Sequence, residues 1–259
     1  ISDRKLVEER LKYDYEHDRW TGLYNRDYLV SLLEKDAELK KGSKRVLIGI
    51  SLSMVELLTV KYGFQYTQNL IKNTAEILSR FCGHNRLLFY PRENRFVFYL
   101  LDYNDKKELI NFSSAIRQAL KSLFITEGIG GRIGVLEIGQ NQDEACTELL
   151  LRRLSIVSEM RNNVHDNDFE ICFYDEELEA MVDRERDIEK ALGAIVMNEN
   201  TKDSLFLQYQ PILNLKTGSI FGFEALSRLR TQKQGLVSPL EFIPIAEKTK
   251  LIIPLGEKI

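Results

Sequence analysis

LLFYPRENRFVFYLL, residues 87–101, consists of two apolar, aromatic-rich runs on either side of a charged turn at Pro91 to Arg95. Aromatic and branched side chains pack well on a pleated surface, while Pro, Asn and consecutive charges interrupt it, so the pattern predicts a β-hairpin. Neighbouring strands joined by so short a turn must run antiparallel.

Working outward from the hairpin, RVLIGISL at residues 45–52 is almost wholly apolar and predicts a strand buried on both faces. A helical pair, interrupted at Tyr62-Gly63, separates it from the hairpin. Before it, Asn25 is placed to cap a helix over roughly residues 26–41, ended by Gly42-Ser43. Residues 1–17 read as a connecting helix, with Leu6, Val7 and Leu11 forming an apolar stripe among charges. After the hairpin come a helix (about 105–124), a strand (131–138), a helix (about 144–161) and a short strand (169–174). This order predicts an α+β domain with one central, mostly antiparallel sheet flanked by helices. A charged helix at about 176–196 then leads to a different pattern. It consists of strands at 205–213 and 219–226 around the turn Lys216-Thr217-Gly218, then a helix near 239–248.

The composition is that of an ordinary globular protein: 259 residues, 44% hydrophobic, 29% charged, net charge −3. Acids and bases are interspersed, so no basic face exists for nucleic acid or an anionic membrane. The three cysteines, Cys82, Cys146 and Cys172, have neither paired nor metal-ligand spacing and read as reduced thiols. The longest apolar stretch, Val46 to Val60, is broken by Ser51, Ser53 and Glu56, too polar for a membrane span. The chain opens on Ile and stops at Glu-Lys-Ile, so both ends are expected to be cuts in a longer, cytoplasmic protein whose missing parts could hold a membrane anchor.

The segment His17-Asp18-Arg19-Trp20-Thr21-Gly22-Leu23-Tyr24-Asn25-Arg26 resembles the D-x-L-T-G-L-x-N-R signature that opens GGDEF domains, with Trp20 in place of the usual Leu. The resemblance runs through residue 175, so residues 18–175 are expected to form a GGDEF-like domain behind the connecting helix 1–17. In that family the hairpin turn carries G-G-D-E-F. Here it reads Arg92-Glu93-Asn94-Arg95-Phe96, and only Phe96 survives.

Joining two GTP molecules requires a 3'-oxygen attack on an α-phosphate, with divalent metal neutralising the triphosphate. Hard oxygen ligands hold such a metal. By the resemblance, the metal aspartate of the first strand is Ser51, the guanine-reading Asn and its neighbouring Asp are Thr59 and Val60, and Gly63 alone is kept. The turn glutamate is Arg95, and the two glycines are Arg92 and Glu93. The upstream R-x-x-D inhibitory site falls on Gly83 to Arg86 and is absent. The resemblance therefore implies a domain without cyclase chemistry. A weaker alternative has Arg92 and Arg95 binding a triphosphate without metal, as a GTP-sensing activator. Gly128-Ile129-Gly130-Gly131 precedes a strand, lacks a following helix N-terminus, and reads as a turn.

A second resemblance occupies residues 176–259, as a linker helix and the start of an EAL domain. Phe206-Leu207-Gln208-Tyr209-Gln210-Pro211-Ile212, then Gly222-Phe223-Glu224-Ala225-Leu226-Ser227-Arg228, then Ser238-Pro239-Leu240-Glu241-Phe242 look like that domain's opening signatures. It implies an incomplete sector of a TIM-like barrel that hydrolyses cyclic di-GMP with metal-activated water. Glu224, near the end of the second strand, would ligate Mg²⁺ or Mn²⁺. Gln210 and Arg228 would contact the cyclic dinucleotide, and Leu226 would pack beside a base. The family's remaining metal ligands are not in this chain, so the fragment itself is expected to bind no metal and hydrolyse nothing. The longer protein is expected to be a cyclic di-GMP phosphodiesterase, with a non-hydrolysing cyclic di-GMP receptor as the alternative.

Unpaired strand edges and an uncovered apolar run at Phe242 to Ile245 predict self-association, a homodimer at its simplest, or protease sensitivity of residues 201–259. The opening Ile1-Ser2-Asp3-Arg4-Lys5 with Glu8-Glu9-Arg10-Leu11 also resembles the helix that joins PAS sensor domains to GGDEF domains.

Overall fold

Arg45–Leu52 forms β1, the middle strand of a five-stranded sheet in the order β2-β3-β1-β4-β5, with β2 at Arg86–Arg92, β3 at Arg95–Leu101, β4 at Gly131–Ile138 and β5 at Phe169–Phe173. β1 pairs antiparallel with both β3 and β4, β2 pairs antiparallel with β3, and only β4–β5 is parallel. The computed structural model describes residues 2–39, 42–53, 55–92, 94–124, 128–139, 146–159, 168–199 and 201–258. The chain divides into two units, residues 1–175 and 176–259.

The continuous apolarity of β1 follows from its being covered on both faces, because successive side chains point to opposite sides. Val46, Ile48, Ile50 and Leu52 face α3 (Val55–Tyr62), α4 (Phe64–Ser79) and α5 (Lys106–Phe124), packing on Leu58, Leu70, Phe112, Ile116 and Leu120. The alternate residues face α2 (Arg26–Leu39) and α6 (Thr147–Glu159), whose Leu29, Leu33, Leu154 and Val157 are buried. On that face Gly49 and Gly134 are cross-strand partners. A Cβ on Gly134 would lie 2.7 Å from backbone atoms of Val157 and Ser158, so the absent side chain lets α6 approach the sheet. Asn25 caps α2 as expected, accepting a hydrogen bond from the Tyr28 amide at 2.9 Å. α1 (Ser2–Glu16) leaves Leu6, Val7 and Leu11 exposed.

Arg92 pairs with Arg95, which closes the hairpin. Asn94 takes φ 61°, a conformation Asn tolerates better than other side-chain-bearing residues, and its carbonyl accepts the Leu52 amide at 3.0 Å. Asn94→Ala is expected to cost about 1 kcal/mol and Asn94→Gly close to nothing. Urea unfolding followed by Trp20, the one tryptophan, reads this unit; equal losses for both variants would remove the left-handed turn as the cause.

The second unit begins with α7 (Glu176–Val196), followed by β6 (Ser204–Leu213), β7 (Ile220–Thr231), β8 (Gly235–Val237), α8 (Pro239–Lys248) and α9 (Ile252–Gly256). The sheet order is β6-β7-β8, and both pairings are antiparallel. The strands of a regular TIM barrel are parallel, but turns as short as Asn214–Ser219 and Gln232–Gln234 allow only hairpins here. Ser238 caps α8, its hydroxyl accepting from the Leu240 amide at 3.3 Å.

One expectation is corrected. Phe242 and Ile245 are buried, not uncovered, because α7 lays Ile188 and Leu192 over them together with Leu229 and Val237. Ion pairs and hydrogen bonds tie α7 to the rest of this unit. Arg184 forks onto Glu241 and donates to Gln234 at 2.6 Å, Lys248 reaches Glu185 at 2.6 Å, and Lys233 reaches Asp187 at 3.0 Å. The expected open edge is present: among the described residues β6 pairs with β7 alone, and Tyr209, Phe221 and Phe223 are exposed. Among the described residues no helix is long and apolar enough to cross a membrane.

Candidate functional site

Two places carry the residues singled out from the sequence, and each is described within its own unit. In the first unit, the hairpin turn sits beside the end of β1. Ser51 and Arg95 are cross-strand partners, so the position of the expected metal aspartate lies next to the position of the expected turn glutamate. The two positions bring a hydroxyl and a guanidinium side by side, neither of them an anionic metal ligand. Arg95 projects to the α6 face, where its Nη1 lies 2.6 Å from Glu159 Oε1. Both side chains are about one-third exposed, so the pair contributes modestly to stability. It directs the Arg95 guanidinium toward α6. Arg95 also borders an open groove of about 260 Å³ between the sheet and α6, with Arg26, Glu148, Arg152 and Ser158 in its wall. Glu159 lies far from the hairpin in the chain and belongs to no sequence motif, so only the fold brings it to this site.

Thr59 and Val60 lie on α3. The Thr59 hydroxyl donates to the Val55 carbonyl at 3.0 Å and lies 3.0 Å from the Thr67 hydroxyl, while Val60 is 84% exposed. Neither side chain presents the amide or carboxylate that reads a guanine edge. Gly63 joins α3 to α4 at φ 86°, a conformation that accounts for glycine there on backbone grounds alone. Phe96 is fully buried against Tyr90, with ring centroids 5.1 Å apart, so the surviving residue of the turn motif is a core residue. Glu93 and the side chain of Arg92 lie outside the described residues. Among the described residues no three His, Cys, Asp or Glu side chains converge to hold a metal ion.

In the second unit the candidates share one face of the β6–β7 ribbon. Gln210 is the cross-strand partner of Glu224, and Gln208 of Leu226. The period-two alternation of β7 puts Glu224, Leu226 and Arg228 on one side. Leu229, on the other side, points into the core under α7 and α8. Gln210 and Glu224 are exposed; Leu226 and Arg228 are half-buried. Arg228 donates from Nε to Gln208 Oε1 at 2.8 Å and from Nη1 to the Ser227 carbonyl at 2.9 Å. The Arg230 guanidinium lies 5.6 Å from the Phe206 ring centroid.

The ribbon therefore offers a carboxylate, an amide, an aliphatic surface and a guanidinium in line along one face. Glu224 is not near the strand end, as expected, but inside a strand that continues to Thr231. The reason is the alternation, which persists through buried Leu229 and Thr231. Glu224 with Gln210 supplies one carboxylate and one amide oxygen, too few to fix a divalent cation unaided.

Residues 15–165 match the family model of the diguanylate cyclase GGDEF domain, and residues 191–259 match that of the EAL domain. The cyclic di-GMP phosphodiesterase PdeR of Escherichia coli K12 is 23% identical over 99% of this chain and 38% of its own length. A cyclic di-GMP phosphodiesterase of Pseudomonas aeruginosa is 49% identical over 57 residues, 22% of this chain and 10% of its own. The chain spans about a third of the length of the first curated relatives it matches. Among solved structures, the S helix-GGDEF-EAL region of Vibrio cholerae LapD, bound to c-di-GMP, aligns with 96% of this chain and 57% of its own. The TM-score is 0.61 at 17% identity, a likeness of fold. With the GGDEF model matched over more than half of the chain and the start of the EAL model after it, the protein belongs to the diguanylate cyclase GGDEF domain family.

Proposed function

We propose that residues 18–175 are a non-catalytic, regulatory GGDEF domain, and that residues 176–259 contribute part of a cyclic di-GMP site in a phosphodiesterase. One observation carries the first half. Arg95, directly across the strand pair from Ser51, is held in place by Glu159. A divalent cation at that end of the sheet would meet a fixed positive charge rather than two carboxylates, and a triphosphate would lose the metal that neutralises it. The loss of guanine-reading groups at Thr59 and Val60 points the same way.

The second half rests on the shared face of Gln210, Glu224, Leu226 and Arg228. On this reading Arg228 meets a phosphate of the dinucleotide and Leu226 lies against a base. Glu224 is one ligand of a Mg²⁺ or Mn²⁺ ion whose other ligands these residues do not supply. The names of the two phosphodiesterase relatives support hydrolysis, rather than binding alone, for the intact protein.

Incubation of the purified chain with labelled GTP and Mg²⁺ or Mn²⁺ tests the first half. No cyclic dinucleotide is expected above the no-enzyme blank; product in excess of it would overturn the non-catalytic reading.

A further inference from the structure

We infer that Gln208 is a positioning residue for Arg228, orienting its guanidinium for a phosphate. The inference rests on the reading of Arg228 as a dinucleotide contact. Gln208 lies diagonally across the β6–β7 pair from Arg228 on the same face, since its direct partner is Leu226. Its Oε1 accepts the Arg228 Nε–H at 2.8 Å, and the Ser227 carbonyl takes one Nη1–H at 2.9 Å. These two acceptors hold the guanidinium from its inner side. The outer Nη1–Nη2 edge keeps the parallel N–H donors that grip a phosphate bidentately.

An arginine side chain otherwise carries considerable rotamer freedom, all of which a ligand would have to freeze. Exposed as it is, the Gln208–Arg228 bond competes with water in the free protein. A ligand laid over the face excludes that water and strengthens the bond, so the effect appears in affinity. Gln208 makes no contact with the ligand in this scheme; it acts through Arg228.

The test is a double-mutant cycle on the intact protein, reading cyclic di-GMP affinity by calorimetry. Gln208→Met keeps the length and removes the acceptor. Arg228→Lys keeps the charge and removes the Nε–H donor. Gln208→Met is expected to weaken binding about fivefold to tenfold. Gln208→Met/Arg228→Lys is expected to bind as Arg228→Lys does alone, because the bond is already gone. Arg228→Ala is expected to weaken binding by more than about fiftyfold.

If Arg228→Ala binds as tightly as the unaltered protein, the site reading fails, and this inference with it. If Arg228→Ala weakens binding but Gln208→Met stays within about twofold, the site stands and Gln208 has no positioning role. Equal loss from Gln208→Met in both Arg228 backgrounds would mark a structural lesion and overturn the inference too.

Discussion

Gly134→Val is expected to destabilise the first unit by about 3 kcal/mol or more, enough to unfold a marginal domain. Even the first carbon of the new side chain would sit 2.7 Å from Ser158 N, Val157 C and Val157 Cγ1. Two of these are backbone atoms of α6, so rotamer changes cannot relieve the clash and the helix itself must move. Moving α6 opens the packing of Leu154 and Val157 and pulls Glu159 away from Arg95. The cross-strand neighbour makes a control. The atoms nearest a Cβ on Gly49 belong to the side chains of Leu154 and Ser158, at 3.1 Å rather than 2.7 Å, so a shift of a few tenths of an ångström suffices. Gly49→Ala is therefore expected to cost about 1 kcal/mol. Urea unfolding monitored by Trp20 fluorescence compares them; similar small losses for both would show that α6 is not held by the glycine at Gly134.

Asp36→Ala is expected to cost about 1–3 kcal/mol, because it takes the acceptor from the buried Tyr99 hydroxyl. Asp36 on α2, Tyr99 on β3 and Arg45 on β1 meet between α2 and the sheet, and all three are buried. The Tyr99 hydroxyl donates to Asp36 Oδ2 at 3.1 Å, and the Arg45 side chain faces the same hydroxyl. Tyr99→Phe removes the hydroxyl altogether rather than leaving it unpaired, so about 1 kcal/mol is expected. Burial, and then the Asp36 charge, push the Tyr99 phenol well above its usual range. The unfolded chain thus ionises first as pH rises past about 10, so this part of the stability is complete below that pH and drains away above it. Tyr99→Phe should flatten the alkaline fall in thermal midpoint. An Asp36→Ala stability within about 0.5 kcal/mol of the unaltered protein would mean that the Tyr99 hydroxyl finds another acceptor.

Much of this architecture is legible in the amino-acid order because local physics sets it. The eight-residue apolar run of β1, the aromatic runs around Pro91 to Arg95, and the cap at Asn25 each act within a few residues. The structure keeps the expected bounds of β1, β4 and α7. The elements the sequence reading missed, β8 and α9, are three and five residues long, too short for a hydrophobic period to emerge. β7 runs five residues past its expected end at Leu226, because Leu229 and Thr231 are strand residues by virtue of what covers them.

The candidate sites divide in the same way. Which residue types remain at the hairpin, and which stand in the β6–β7 signatures, is a property of the chain alone. What those residues touch is not. Register sets Ser51 against Arg95 and Gln210 against Glu224. The approach of α6, permitted by Gly134, brings Glu159 to Arg95 from more than sixty positions away in the chain. α7 buries Phe242 and Ile245, which the sequence reading left uncovered. Sequence determined the strands, the turns and the missing carboxylates, since propensity and side-chain chemistry are local. Only the tertiary structure decided the partners of Arg95, Arg228 and Asp36, because a long side chain's partner is chosen by packing between segments that the chain order keeps apart.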